Sequence, residues 1–193
     1  MYKRKLFYFG LTTALILVVA LISMALSAHL NRENLKQINI AQSLLVEHER
    51  LSATSYRLFK QLTDEVILGQ SANQAFVLNK HALISQSIDT IKKLELEQRE
   101  ALGLQFTQGS IEDTDELEVL IDEIIREFQI VVMTINDTPL GQQERLRSLL
   151  EVTIDDKFSE LIYSAVNRQS SVVASINAQI NNLNTTIVWF AVG

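Results

Sequence analysis

Residues 38–62 read INIAQSLLVEHERLSATSYRLFKQL, and this stretch decides the fold. Ile38, Ala41, Leu45, His48, Leu51, Ser55, Leu58 and Leu62 recur at alternating steps of three and four. That spacing puts them on one face of a helix, on the a and d positions of a seam that packs in a bundle or coiled coil. No helix stop separates the seam from the residues before it. A single helix is therefore expected to run back from about Leu68 into the N-terminal segment.

That segment is apolar. Residues 6–28, LFYFGLTTALILVVALISMALSA, carry no charge over 23 positions, and Lys3, Arg4 and Lys5 stand in front of them. About 20 apolar residues in a helix span a bilayer's hydrocarbon core. Cations before the first span favour a cytoplasmic N-terminus. The expected organisation is a cytoplasmic start (1–5), a membrane helix (6–28), an extracytoplasmic domain (29–185) and the beginning of a second membrane helix (186–193). The last assignment rests on IVWFAVG, residues 187–193. It makes the chain a fragment of a longer protein, cut just inside its second membrane segment. Two rival readings stay open. A cleaved signal peptide has small residues Ser23 and Ala25 at the right spacing, although its apolar region is ordinarily about 7 to 15 residues. The apolar end is alternatively a short tail packed on the domain.

Behind the first seam, residues 69–73 (GQSAN) form a plausible turn. A second seam follows: Phe76, Ile84, Ile88, Ile91 and Leu94. Residues 103–109 are expected as a loop, and Ser110 as the N-cap of a third helix with Asp113 three residues on. The third seam is Leu117, Leu120, Ile121, Ile124, Phe128, Val131 and Ile135. Thr138 and Pro139 suit the N-cap and first position of a fourth helix. The fourth seam runs Leu146, Leu150, Ile154, Phe158, Leu161, Ala165, Val172, Ile176, Ile180, Leu183 and Ile187, and needs polar Gln169 to keep step. The expected fold class is all-α: an up-down-up-down four-helix bundle whose first and last helices are continuous with membrane segments.

Composition limits the chemistry. One proline and six glycines among 193 residues suit long helices. A net charge of −6 argues against a nucleic-acid partner, because phosphate neutralisation requires a basic face. The absence of cysteine excludes disulfides, thiolate metal sites and a cysteine nucleophile. Gly69, Gly103, Gly109 and Gly141 are isolated, so no phosphate-binding glycine loop exists. No catalytic residue, cofactor or metal site is assigned, and these residues alone are expected to catalyse nothing.

The layout of Lys-Arg-Lys, a 23-residue span, a 157-residue helical loop and a second apolar start at Ile187 resembles the input half of bacterial transmembrane receptors: sensor histidine kinases and chemoreceptors with a four-helix periplasmic sensing module. LLEVTIDDKFSELIYSAVNRQ, residues 149–169, also looks like the stretch before the second span of sensor kinases. The resemblance implies an inner-membrane protein with residues 29–185 in the periplasm, working as a homodimer. It implies a two-component sensor whose kinase domain follows this region. Its partner would be a small-molecule ligand or a periplasmic protein. The rival class is a membrane-anchored helical adaptor or scaffold that binds another envelope protein.

Candidate ligand contacts are cations and one histidine. His48 sits within the first seam, as a ligand contact, a pH-sensitive core residue or an ordinary packed histidine. Arg57 and Lys60 on the first helix, and Arg145 and Arg168 on the fourth, would hold an anion if they converge; otherwise they form a solvated face with i, i+4 pairs. The eight carboxylates between Glu112 and Glu127 lack a calcium-loop spacing and read as a solvated acidic face. Asn177, Gln179, Asn181, Asn182 and Asn184 are either a juxtamembrane collar or a register-setting interface between subunits.

Overall fold

The structure is a computed structural model describing the backbone of residues 2–68, 74–102, 104–133 and 139–192. Side chains are described for 7–67, 75–102, 107, 109–131, 141 and 144–182. Every described residue is helical. Helix α1 covers Tyr2–Leu68, α2 Gln74–Leu102 and α3 Leu104–Met133. A fourth helical stretch is uninterrupted from Pro139 to Val192, made of α4 (Pro139–Ser148), a π-helical segment (Leu149–Phe158) and α5 (Ser159–Val192). Pro139 opens α4, as expected of a residue with no N–H to leave unpaired. The expected turn at 69–73, Thr138, and the core position of Ile135 lie outside the described residues.

The chain divides into two compact units, Asn39–Ser175 and the combination of Met1–Ile38 with Ile176–Gly193. Within Asn39–Ser175 a single apolar core takes residues from all four helical stretches. In α1 the buried face is Ala41, Leu44, His48, Leu51, Ser55, Leu58, Leu62 and Glu65, an unbroken 3-4 repeat. Leu44, not the expected Leu45, occupies the seam; Leu45 is half-buried one position round. Each fully buried leucine stabilises the fold by about 1.5–3 kcal/mol through removal of apolar surface from water.

The pairs His81–Asp122, Lys92–Glu118 and Glu95–Ser110 show α2 and α3 to be antiparallel, since numbers rise on one as they fall on the other. Against the expectation of a loop over 103–109, helix α3 already starts at Leu104. Ser110 is therefore an interior helical residue. Its hydroxyl reaches across to Glu95 instead of capping α3.

The fourth stretch departs from its expected seam for one physical reason. Its buried positions are Leu146, Leu149, Ile154, Phe158, Ile162, Ala165, Gln169 and Ile176. The step from Leu149 to Ile154 is five residues, one more than an α-helical face permits, and the i→i+5 bonding of the π-helix absorbs that residue. Leu150 and Leu161, expected in the core, are consequently only half-buried. Ser159 stabilises the end of this segment. Its N–H donates to the carbonyl of Ile154, five residues back, and its hydroxyl lies 2.5 Å from Tyr56 Oη on α1. Phe158 packs edge-on between Tyr56 and Phe59, with ring centroids 5.4 and 5.3 Å away.

In the other unit, α1 exposes Phe7, Leu11, Leu15, Val18, Ile22 and Leu26. This end of α1 is long and apolar enough to cross a membrane.

Candidate functional site

Toward the end of the Asn39–Ser175 unit that holds the α2–α3 connection, the core changes character. The α2 seam of Ile84, Ile88 and Ile91 continues as Glu95 and Gln98. The α3 seam of Leu117, Ile121 and Ile124 extends backwards as Thr114, Ser110 and Thr107. Gln169 on α5 and His48 on α1 complete a layer whose seven side chains are at most 1 % exposed. Polar side chains thus occupy positions where the heptad spacing calls for leucine.

The bonding explains how they are tolerated. Ser110 and Thr114 both donate their hydroxyls to Glu95 Oε1, at 2.8 and 2.7 Å. Ser110 in turn accepts from Gln169 Nε2 at 3.2 Å. Gln98 and Gln169 exchange amide bonds, at 2.8 Å from Gln98 Nε2 to Gln169 Oε1 and 3.4 Å in return. A chain of hydrogen bonds therefore runs from α5 through α3 to α2. At its flank Arg168 Nη2 donates to Asp113 Oδ2 at 2.7 Å, and Ser164 Oγ donates to the same oxygen at 3.4 Å. Gly109 gives the guanidinium its room: a Cβ there would collide with Nη1 and stand 2.9 Å from Cζ.

The layer is not fully satisfied. Among the described residues Glu95 Oε2, His48 Nε2 and Arg168 Nε are buried without a hydrogen-bond partner. Burial raises the Glu95 carboxyl to about 6, against the two hydroxyl bonds that lower it and with Asp115 and Asp113 adding to the rise. Burial lowers the His48 imidazole, while its bond to the Leu44 carbonyl (2.7 Å) and the charge of Asp113 act the other way. His48 is thus a neutral core residue whose Nδ1–H donates to its own helix.

Of the residues singled out from sequence, Arg168 bonds Asp113 at the flank of the layer and His48 is buried in it, bonded to the Leu44 carbonyl of its own helix. Arg57 and Lys60 lie on the exposed face of α1, and Arg145 on that of α4. These three do not join the layer, so the five residues form no common anion site. Arg147 pairs with Glu151 at 3.0 Å, an exposed i, i+4 pair. Lys92 bridges Asp115 (2.8 Å) and Glu118 (2.6 Å), and those bonds, Asp115 first, push its ammonium upward. Among the described residues no three histidine or carboxylate side chains converge to hold a metal. An open groove of about 540 Å³ lies between α1 and α2, lined by Ser43, Val46, Glu47 and Leu94 among others.

Sequence reasoning missed Glu95, Gln98, Ser110, Thr114 and Asp113. The signal was present: carrying the 3-4 repeat on from Ile91 lands on Glu95 and Gln98, and carrying it back from Leu117 lands on Thr114, Ser110 and Thr107.

Comparison with known proteins gives no match to a family model, to a curated protein sequence or to a solved structure.

Proposed function

We propose that residues 29–185 are the extracytoplasmic input region of a membrane signal-transduction receptor of the two-component sensor kinase type. In this reading they lie in the periplasm as an up-down-up-down four-helix bundle, anchored in the bacterial inner membrane and paired as a homodimer. The observation that carries the reading is the continuity of α1. One uninterrupted helix presents exposed apolar side chains from Phe7 to Leu26 and then, from Ile38 on, a buried seam. The fourth stretch is likewise helical from the core through to Val192. The antiparallel α2–α3 pair, and the contact of α1 with the fourth stretch through Tyr56 and Ser159, support the bundle.

A receptor so built acts by displacement. A stimulus that favours one packing of the four helices shifts the population toward it, and α5 carries the shift along its own axis. Reading the gene beyond the codon for Gly193 tests this. More apolar residues, then a linker helix and a histidine-containing dimerisation hairpin with an ATP-binding domain, support the kinase. A long methylatable coiled coil makes it a chemoreceptor. A reading frame without any output domain supports the adaptor.

A further inference from the structure

Resting on that reading, we propose that the buried carboxylate of Glu95 is a proton-binding site through which the polar layer responds to external acidity. The geometry around it is unusual for a buried acid. Glu95 is fully buried, and both of its hydrogen bonds are to neutral hydroxyls on one oxygen, while the other oxygen has no partner. Buried carboxylates are ordinarily paired with a cation. Among the described residues no cation pairs with Glu95: Lys92 and Arg168 are each bound to another acid, and Arg99, one turn on along α2, is exposed.

On α2 itself, Lys92 lies one turn before Glu95 and is bound to Asp115 and Glu118; Gln98 is bound to Gln169. From α3 come Ser110 and Thr114 in contact and the charges of Asp113 and Asp115, both of which oppose ionisation. From α5 come Gln169, held on Ser110, and Arg168, bound to Asp113. From α1 come His48, neutral and donating to Leu44, and Glu47, which pairs with Arg50 at 3.5 Å. A proton reaches Glu95 without rearranging these pairs. It binds the unpartnered Oε2 and leaves Oε1 to accept from Ser110 and Thr114 as before. Burial already raises the carboxyl to about 6, between neutral and mildly acid surroundings.

The consequence passes to α5. Ser110 donates to Glu95 and accepts from Gln169, so it is the shared member of both bonds. Neutralising Glu95 removes the charge assistance from the Ser110 bond, since hydrogen bonds to an ionised acceptor are about twice as strong as neutral ones. The hydroxyl's balance between α2 and α5 then changes, and α5 is the helix that runs on to Val192.

The test uses the full chain in lipid nanodiscs. Infrared difference spectra from pH 8 to 4.5 are expected to show a buried protonated carboxyl appearing with a midpoint near 6, absent in Glu95→Gln. Ser110→Ala and Thr114→Val remove donors to the ionised form and are each expected to move that midpoint upward, a shift that a purely structural role would not produce. The ratio of the folding equilibrium constants of wild type and Glu95→Gln is expected to change about eightfold between pH 4.5 and pH 6, within a total change of about thirtyfold from well below 4.5 to well above 6. Hydrogen exchange over residues 165–175, compared between pH 7.5 and 5 after correction for intrinsic rates, is expected to change in wild type and not in Glu95→Gln. A midpoint at the ordinary carboxylate value, or equal spectra in wild type and Glu95→Gln, overturns the proton site. A titration near 6 with unchanged exchange over 165–175 overturns its coupling to α5. These readings use purified protein and do not depend on which side of a membrane the domain occupies. Failure of the receptor reading would therefore leave them standing.

Discussion

Arg168 on α5 holds Asp113 on α3 at 2.7 Å, and it does so directly over Gly109, where no Cβ stands in the way. The pair is a partly buried tie between α5 and α3. Gly109→Ala in a helix interior ordinarily stabilises by about 0.5–1 kcal/mol through backbone entropy. Here the new methyl displaces the guanidinium and costs the ion pair, so the substitution is expected to be neutral or destabilising. In an Arg168→Ala background the same change is expected to recover its ordinary gain. A double-mutant cycle on urea midpoints reads the difference directly.

The reciprocal amide pair of Gln98 and Gln169 is expected to behave asymmetrically. Gln169→Leu leaves the Gln98 amide and the Ser110 hydroxyl short of partners in a buried layer, at a cost of about 1–3 kcal/mol. Gln98→Leu with Gln169→Leu removes both amides, and is expected to restore most of that loss. Chemical unfolding of the two variants beside wild type is the measurement.

The π segment makes a prediction that an α-helical register reverses. Leu149 is buried and Leu150 half-buried because of the five-residue step to Ile154. Leu149→Ala is expected to cost about 2–4 kcal/mol and Leu150→Ala about 1 kcal/mol or less. A regular α-helix through these residues, with Leu146, Leu150, Ile154 and Phe158 at steps of four, gives the opposite order. Thermal melts of both variants decide it.

His48 gives a pH dependence of known sign. Its folded pKa is lowered by burial. The unfolded chain therefore takes up a proton near pH 6.5 that the folded chain refuses, and stability attributable to His48 is lost as pH falls below about 6.5. Glu95 works in the opposite direction: its folded pKa is raised, so its burial costs stability above about 6 and the cost is relieved as pH falls toward 4.5. His48→Leu is expected to leave stability at pH 7.5 unchanged or higher, since it removes an unpartnered buried nitrogen, and to abolish the acid loss below 6.5. Unfolding midpoints across pH for His48→Leu and Glu95→Gln separate the two effects.

The all-helical class was legible because hydrophobic periodicity and the shortage of Gly and Pro act locally. The seam of α1 came out almost residue for residue. Leu44 and Leu45 were exchanged because either leucine satisfies a 3-4 step, and only tertiary packing chooses between them. The fourth seam misled for a similar reason. Leu150 and Leu161 fit an α period, and a π turn adds a residue that no propensity scale registers. His48, Ser55 and Gln169 stand in the expected seams, but the α2 and α3 seams were followed only through their apolar positions, which hid Glu95, Gln98, Ser110 and Thr114. Ser110 followed by Asp113 reads as a helix start, yet the helix had begun at Leu104 and Ser110 faces Glu95. Arg57, Lys60 and Arg145 were chosen by charge alone, and charge does not say which face of a helix turns inward.

The proposed outward placement of the helical domain is tested most directly by single-cysteine labelling in intact cells, because the chain has no cysteine of its own. Ser43 is exposed on α1 within the Asn39–Ser175 unit, and Lys3 precedes the apolar run. A membrane-impermeant maleimide is expected to label Ser43→Cys in intact cells whose outer membrane admits the reagent, and Lys3→Cys only after the inner membrane is permeabilised. Labelling of Ser43→Cys only after permeabilisation contradicts the receptor topology.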